Sequence, residues 1–360
     1  MTVCRIMAAA TVVECEKTAR RRVGEYGCAA FMPSQEVGMG KRFICLDIGA
    51  SKILGAVMNE DNEILCRVKK KTSPELGRES VDRKIIKTVH ELMSACGMGI
   101  KDLKAIGAGA PGIIDTKHAM VRYAPNLPWQ NHALGRVMEE EFQVPFVVGN
   151  DVNLGVLGEW KFGVARGCAN VVGLFVGTGI GGGIIIDGKL FIGSGYAGAE
   201  IGHMIINTDG PLCKCGQTGC LEAHASKVAI TRELKAGLAG NTPTVLKDVL
   251  SEGSGIIKSS DLKKAIRQGD PLAISTFRRA VYYLSVGIGN LINLFNPEMV
   301  ILGGGVVEAL EKEVLELVSE NIGRFAWPAM LSQTQIKASQ LKDDAVLYGA
   351  RALISEILGY

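Results

Sequence analysis

The chain has 360 residues, ten cysteines and a formal net charge of +3 at neutral pH. Without a long basic block this charge gives no reason to predict nucleic-acid or membrane partners, and no apolar run approaches the roughly 18 residues needed to span a bilayer. A secreted disulfide framework needs a short chain with an export signal, and the sequence has neither. The seven cysteines outside residues 213–220 are therefore expected to be reduced, in a cytoplasmic protein.

Residues 1–38 differ from everything that follows. They contain the run Arg20-Arg21-Arg22, little hydrophobic periodicity and the internal methionines Met7 and Met32. Their four glutamates argue against an organelle presequence. We expect a disordered extension or a start codon placed too early.

From residue 41 the chain alternates short apolar strands with helical patterns, which predicts an α/β layer architecture. The first half predicts strands over 42–48, 53–58, 63–70, 105–110 and 145–149, and helices over 81–96 and 132–142. The second half predicts strands over 171–176, 183–186, 189–192, 299–302 and 335–338, and helices over 227–239, 261–267, 271–295, 306–322 and 344–357.

The two halves begin alike, each with a glycine-bearing turn inside a hairpin. This suggests a duplicated domain. Backbone amides in such turns can cradle phosphate oxygens, although each turn alone is also ordinary hairpin chemistry. The candidate phosphate-binding residues are Gly49, Ala50, Ser51 and Lys52 in the first turn and Gly177, Thr178 and Gly179 in the second.

A third glycine cluster, Gly303, Gly304 and Gly305, follows a predicted strand and opens a predicted helix. That placement suits a bound nucleotide. The cluster matches neither the dinucleotide fingerprint nor the Walker A pattern. If the protein binds ATP, its fold is neither a dinucleotide-binding fold of that type nor a P-loop fold.

Asp151 follows a strand, at the end where α/β proteins place their sites, and is the candidate general base. It could equally be the cap of the next helix. Gly112, at the end of another strand, and Asn126, in a loop beside Trp129, belong to segments that suit a hydroxyl-rich ligand, although either could be simple turn structure.

The segment from Glu200 to Glu222 holds one imidazole and three thiols close together. His203, Cys213, Cys215 and Cys220 make a complete tetrahedral shell for zinc, which leaves no position for substrate and is therefore structural. A redox role is disfavoured because Cys213-Lys214-Cys215 lacks the spacing of a thioredoxin-like pair. Glu200 and Glu222 bracket this shell and are candidates to face a polar ligand.

These ordered motifs together resemble the ROK family of repressors, open reading frames and sugar kinases, over residues 41–360. They are the segments 47–52, 111–112, 126–128, 150–153, 177–183 and 200–203 and the cysteine loop to residue 222. The resemblance implies an actin-like, hexokinase-type (ribonuclease H-like) α/β fold with two domains around a cleft. Residues 39–150 and 342–360 would form the smaller domain, and residues 151–341 the larger one, which carries the zinc loop.

The resemblance also implies residue roles in an ATP-dependent hexose kinase of the glucokinase type. Asp151 would activate the sugar 6-hydroxyl, and Asp47 would help to place Mg²⁺. The other sugar hydroxyls would be held by Gly112, Asn126, Asn150, Glu200, His203 and Glu222. Glucose is the first choice of sugar, with N-acetylglucosamine, N-acetylmannosamine and fructose as alternatives, and a homodimer is expected.

A sugar-responsive transcriptional regulator is the alternative from another class, because the family includes such proteins. Regulators of this type carry a winged helix-turn-helix before the kinase-like part. Here about 40 residues without helical periodicity precede the first strand, and Asp151 is present. The sequence therefore favours the kinase.

Overall fold

The computed structural model describes residues 40–251 and 255–360, and Gly40–Tyr360 forms one compact unit. The expectation for residues 1–38 lies outside the described residues. No helix within these two ranges is both long enough and apolar enough to cross a bilayer.

The strands follow the predicted alternation of apolar segments. They are β1 (Arg42–Ile48), β2 (Lys52–Met58), β3 (Ile64–Lys71), β4 (Leu103–Ala110), β5 (Ile113–Asp115), β6 (Met120–Ala124), β7 (Trp129–His132), β8 (Phe146–Asn150), β9 (Val171–Val176), β10 (Ile180–Ile186), β11 (Lys189–Leu190), β12 (Met299–Gly303) and β13 (Gln335–Ala338).

The helices lie between and after these strands. They are α1 (Arg78–Ala95), α2 (Leu134–Phe142), α3 (Asp151–Lys161), α4 (Leu221–Ala225), α5 (Lys227–Ala239), α6 (Lys247–Ser251), α7 (Ser259–Arg267), α8 (Pro271–Phe295), α9 (Gly305–Ala309), α10 (Glu311–Ile322), α11 (Pro328–Leu331) and α12 (Ala345–Leu358).

Two five-stranded sheets share one topology. The first has the order β3-β2-β1-β4-β8 and the second β11-β10-β9-β12-β13. In each, a three-stranded antiparallel meander is extended by two parallel strands. The same order and directions in both halves are what a duplicated domain produces. The position of the domain boundaries stays a prediction.

Helices α3 and α12 pack between the two sheets, where their apolar side chains join one core with inward-facing residues of β1, β9 and β12. Glycine lets the two helices cross closely. A Cβ on Gly349 would overlap the Leu154 carbonyl oxygen, and one on Gly158 would overlap the Ala345 carbonyl oxygen. The start of α3, which carries Asp151, is thereby fixed against the last helix of the chain.

Gly349→Ala is expected to lower the free energy of unfolding by about 1–3 kcal/mol, because overpacking forces the two helices apart. Gly323→Ala is the matched control, since Gly323 has helical backbone angles and nothing within 4 Å of the added methyl group. Urea unfolding measures both. Equal stability of the two variants would show that the close crossing is unimportant.

Several sequence predictions are wrong in detail. The predicted helix over 306–322 is two helices, α9 and α10, separated at Leu310, which has a non-helical backbone. The predicted helix over 132–142 starts at Leu134, because His132 ends strand β7. The small sheet β5-β6-β7 was not predicted at all, since its strands are only three to five residues long.

The prediction that the scattered cysteines are reduced is also wrong for one pair. Cys66 on β3 and Cys96 at the end of α1 form a disulfide. Their separation of 30 residues in the chain gives no local signal, and packing of α1 on the sheet brings them together. Cys45 and Cys168 are free.

Candidate active site

A cavity of about 380 Å³ lies where both halves of the fold contribute polar residues. It brings together most of the residues that the sequence predicts for sugar and phosphate. Those that line it are Gly112, Asn126, Asn150, Asp151, Gly177, Thr178, Gly179, Glu200, His203, Glu222 and Gly304.

Seven predicted residues are not in the lining of this cavity: Asp47, Gly49, Ala50, Ser51, Lys52, Gly303 and Gly305. The turn between β1 and β2 is closed by the Gly49 amide, which donates to the Lys52 carbonyl at 2.9 Å. The Lys52 ammonium forms an ion pair with Asp343 at 3.2 Å. Lys52 is therefore held by a carboxylate at the start of the last helical segment.

The charge of Asp151 acts on the carboxyl group of Asp47. Burial, and then the negative charge of Asp151, raise the pKa of Asp47 from 3.8 to about 7, against the lowering effect of Lys52. A buried carboxyl beside the negative charge of Asp151 is a suitable place for a cation. Neither Asp47 nor the residues of the turn, 49–52, line the cavity itself.

The local structure at Asp151 shows that a neighbouring residue caps the helix. Asn150 is the N-cap of α3, and its side-chain oxygen accepts from the amides of Val152 and Asn153, each at 3.0 Å. The Asn150 amide group donates to the Gly112 carbonyl at 3.1 Å. Asp151 is the first residue of the helix, so its carboxylate is not required as the cap.

The Asp151 carboxyl is half-buried. Burial raises its pKa from 3.8 to about 6, with a smaller contribution from the charge of Glu200, while the Val152 amide at 2.9 Å opposes the shift. A carboxylate whose pKa is raised toward neutrality suits a general base.

Protonation of Asp151 gives a pH prediction. Because the pKa is raised to about 6, the basic form is lost as the pH falls through that value. We expect kcat/KM for the sugar to begin to fall near pH 7, where Asp47 is protonated, and to fall at least roughly tenfold per unit well below pH 6, where Asp151 is protonated as well. Steady-state kinetics between pH 5 and 8 measure this, and an unchanged kcat/KM at pH 5 would contradict it.

The second glycine turn is tied to the cysteine loop by Glu222. A carboxylate oxygen of Glu222 accepts from the Ile180 amide at 2.8 Å, and a Cβ on Gly179 would overlap that oxygen. The amides of Lys227 and Val228 donate to the Gly177 and Thr178 carbonyls. Glu222 therefore holds the turn with one carboxylate oxygen. Its other carboxylate oxygen lies 4.0 Å from the Cys213 sulfur.

The predicted metal ligands meet in space. The ligand atoms of His203, Cys213, Cys215 and Cys220 all lie within 4.8 Å of one another. The His203 Nδ1 lies 3.7 Å from the Cys213 sulfur, and the Cys215 and Cys220 sulfurs are 3.7 Å apart. An edge of about 3.7 Å is what a tetrahedron with Zn–S bonds of about 2.3 Å requires. The donor set and its spacing fit zinc.

Sequence reasoning missed some residues of the cavity, including Phe175, Gly198 and Ala199. Phe175 packs closely on Gly303, since a Cβ there would approach its ring to 2.7 Å. Phe175 lies in the continuous apolar run of β9, where no alternation marks which side chain faces the cavity. Gly198 and Ala199 lie in an irregular loop, where no periodicity marks which side chains face inward.

Two α/β sheets of equal topology around a polar cleft define a protein of the actin-like, hexokinase-type class, as solved relatives confirm. Residues 43–357 match the ROK family, and the chain belongs to that family. Both the predicted family and the predicted fold class are confirmed.

Individual relatives include enzymes and regulators. The chain is 35% identical to a glucokinase of Thermotoga maritima, over 88% of this chain and 98% of the relative. It is 32% identical to a xylose repressor of Caldicellulosiruptor bescii, over 88% of this chain and 79% of the relative. A solved ROK glucokinase of Streptomyces griseus in complex with glucose and AMPPNP has a TM-score of 0.74 and 36% identity, covering 86% of this chain and 97% of that one.

Proposed function

We propose that the protein is an ATP-dependent sugar kinase that phosphorylates the 6-hydroxyl of a hexose, with glucose as the preferred substrate. The observation that carries the proposal is the single cavity in which Asp151, the hydroxyl-binding amides and carboxylates, and the second glycine turn meet. The similarity to glucokinases over almost their whole length supports glucose.

Asp151 is the catalytic base in this proposal. Its carboxylate accepts the proton of the 6-hydroxyl as that oxygen attacks the γ-phosphorus in line. The bond from the γ-phosphorus to the bridging oxygen breaks on the opposite side, and ADP leaves. Because catalysis of phosphoryl transfer is mostly positioning and electrostatic stabilisation, the rigid attachment of α3 matters as much as the proton transfer. The crossing at Gly349 and the Asn150 cap fix where Asp151 stands.

The remaining sugar hydroxyls are bound by groups on both sides of the cavity. Asn126 and Asn150 offer amides, and Glu200 offers a carboxylate whose pKa is raised, chiefly by burial. His203 turns Nδ1 to the cysteines, so that Nε2 remains for a hydroxyl.

The nucleotide and Mg²⁺ fit the other end of the site. The turn at Gly177–Gly179 and the backbone at Gly304 line the cavity and offer close approach to phosphates. When bound, Mg²⁺ neutralises charge on the transferring phosphate. Asp47, whose pKa is raised next to Asp151, is the carboxylate that would hold it, since Mg²⁺ in such sites takes one or two carboxylates along with phosphate oxygens.

Zinc at His203 and the three cysteines is a structural brace in this proposal. All four positions around the ion are taken by protein atoms, so it has no place for substrate. The brace orients His203 and fixes the loop between Glu200 and Glu222. Through the contact of Glu222 with Ile180 it also supports the phosphate turn.

A panel of sugars with ATP and Mg²⁺, ranked by kcat/KM, tests the proposal. We expect glucose to rank first, ahead of N-acetylglucosamine, N-acetylmannosamine and fructose. Turnover of an acetylated sugar above glucose would reassign the substrate within the class. If no sugar is turned over, the assignment of the protein as a sugar kinase is contradicted.

The similarity to xylose repressors makes a sugar-responsive regulator the second candidate. Sugar-dependent binding to operator DNA with no phosphoryl transfer would support it. The presence of Asp151 and its raised pKa favour the enzyme. A cytoplasmic location, where ATP is available, and a homodimer complete the proposal.

A further inference from the structure

A second cavity, of about 580 Å³, lies away from the sugar cavity and shares no lining residue with it. Its walls include Phe43 near the start of β1, Lys161 at the end of α3, and Arg351 and Ser355 on α12. Three cationic side chains line it against two carboxylate side chains: Lys41, Lys161 and Arg351 against Glu60 and Glu356. The side chains of this cavity therefore carry a surplus of positive charge.

Arg351 is a buried cation without a carboxylate partner. The residue is only 4% exposed. Its Nη1 donates to the Ser355 hydroxyl at 2.6 Å, and its central guanidinium carbon lies 4.0 Å from the centre of the Phe43 ring. Its Nε is buried without a hydrogen-bond partner, and among the described residues no carboxylate forms an ion pair with Arg351. Because buried charges in proteins are normally paired, Arg351 is left in need of an anion.

The groups nearest to Arg351 do not supply that anion. Burial lowers the pKa of Arg351, and Cys45 and Glu60 oppose this shift without cancelling it. Burial raises the pKa of the Cys45 thiol to about 12, so the thiol is neutral. The Glu60 carboxylate lies 4.0 Å from the Lys41 ammonium instead. Since a guanidinium stays protonated in proteins, its charge is left for a ligand.

The two lysines of the cavity are held only weakly by their own partners. The pair of Lys41 and Glu60 is about half exposed on both sides. Lys161 Nζ lies 3.2 Å from a Glu356 carboxylate oxygen, with both side chains 36% exposed. Exposed pairs of this kind contribute about 1 kcal/mol or less. Either ammonium can therefore turn toward an anion bound at Arg351 at small cost.

We propose that this cavity binds the phosphate group of a small metabolite, with Arg351 as its main contact. Arginine recognises phosphate through two parallel N–H donors, and three cations in one cavity suit a doubly charged anion. Inorganic phosphate and a phosphate ester share this chemistry. The carboxylates of Glu60 and Glu356 and the amide of Asn62 also line the cavity and can bind hydroxyls of an ester. The inference goes beyond the proposed function and does not depend on it.

A bound phosphate would join the two helices that position the catalytic base. Lys161 is the last residue of α3, and Asp151 is the first. Arg351 lies on α12, two residues after Gly349, where the two helices cross. A ligand held by both helices binds only the folded protein, so we expect it to raise the melting temperature.

Calorimetric titration of the full chain tests the site, with inorganic phosphate and glucose 6-phosphate as separate ligands. The protein is first saturated with glucose and AMPPNP, so that the sugar cavity is filled. We expect binding to the wild type, and the tighter of the two ligands identifies whether the source is free phosphate or an ester. Binding should persist in the saturated protein.

Arg351→Met keeps an apolar stem against Phe43 and removes the charge. A hydrogen bond between charged groups is worth about a tenfold change in an equilibrium constant or more, so we expect Kd to rise at least about tenfold. Arg136→Met, on α2, is the matched control, since that side chain is 80% exposed and lies outside the cavity. It should leave Kd unchanged.

Thermal unfolding in phosphate-free buffer separates a ligand contact from a structural one. Removal of an unpaired buried charge leaves no other charge without a partner, so Arg351→Met should melt no lower than the wild type. The better ligand should raise the melting temperature of the wild type and not that of the variant. If Arg351→Met does not fold, Lys161→Gln replaces it and should weaken binding several-fold.

The proposal is overturned if neither ligand binds the wild type, or if the cavity variant binds as tightly as the wild type. It is also overturned if glucose and AMPPNP abolish the binding, which would then belong to the sugar cavity. A wild-type protein that phosphorylates no hexose would refute the proposed function instead. The comparison of the variants needs no turnover and would still report on this site.

Discussion

Asp151→Asn is expected to lower kcat for hexose phosphorylation by about 10²–10⁴-fold, the usual contribution of a general base. Asparagine keeps the shape of the side chain and can still accept from the Val152 amide. It cannot take a proton from the 6-hydroxyl. KM for the sugar should change much less than kcat, because the other hydroxyl-binding groups remain.

The same variant should be no less stable than the wild type at pH 7. Burial raises the pKa of Asp151 above its ordinary value, so the ionised carboxylate destabilises the folded state at pH values above about 6. Asparagine removes that penalty. Thermal unfolding of Asp151→Asn measures this, and Asp187→Asn, in an exposed turn, is the control for the chemical change.

A variant that retains most of its kcat would show that Asp151 is not the base. A variant that is inactive but unfolded would carry no information on catalysis, and the thermal measurement detects that case. Asp187→Asn should keep both the activity and the melting temperature of the wild type.

Loss of the zinc shell is expected to have the second-largest effect, on both stability and sugar binding. Cys213→Ala, or removal of metal with a chelator, is expected to lower the melting temperature and to raise KM for the sugar about tenfold or more. The cause is shared, because the shell fixes His203 and the loop that bears Glu200 and Glu222. Because all four positions around the metal are filled by protein atoms, kcat should fall less than KM rises.

Metal content and kinetics together check this prediction. The wild type should hold one zinc per chain, and Cys213→Ala should hold none. Cys168→Ala is the control, since Cys168 is also free but lies outside the ligand cluster. A drop in kcat at unchanged KM, measured after chelation and return of excess Mg²⁺, would instead assign the zinc to catalysis.

The sequence predicted the fold well where periodicity is strong. Long apolar strands such as β1, β9 and β12 and the 25-residue helix α8 have clear patterns and were placed within one or two residues. The break at Leu310 was not predicted, because the apolar pattern continues across α9 and α10 while the backbone does not. Tertiary contacts, not local propensity, decide such breaks.

For the site, too, features with a local sequence pattern were predicted and features that depend on tertiary contacts were not. Motif order was enough to predict eleven of the residues that line one cavity, because glycine turns and polar residues at strand ends are visible in the chain. The pairing of Lys52 with Asp343 and the hydrogen bond from the Asn150 side chain to the Gly112 carbonyl were not visible. Each joins segments far apart in sequence, so only the folded structure can show them.

The raised pKa of Asp151 was equally inaccessible from the sequence. It depends on how deeply the first turn of α3 is buried and on the charge of Glu200, which lies 49 positions later. Sequence reasoning could assign only the ordinary value of an aspartate. The structure changes the expected pH dependence of the enzyme for this reason.

Direct identification of the product tests the central claim most sharply. The wild-type protein is incubated with glucose, ATP and Mg²⁺, and the phosphorylated product is assigned by phosphorus NMR. We expect glucose 6-phosphate as the single sugar product, with no phosphorylation of 6-deoxyglucose. Phosphate on another oxygen, or ATP hydrolysis without a sugar phosphate, would contradict the assignment of Asp151 as the base that activates the 6-hydroxyl.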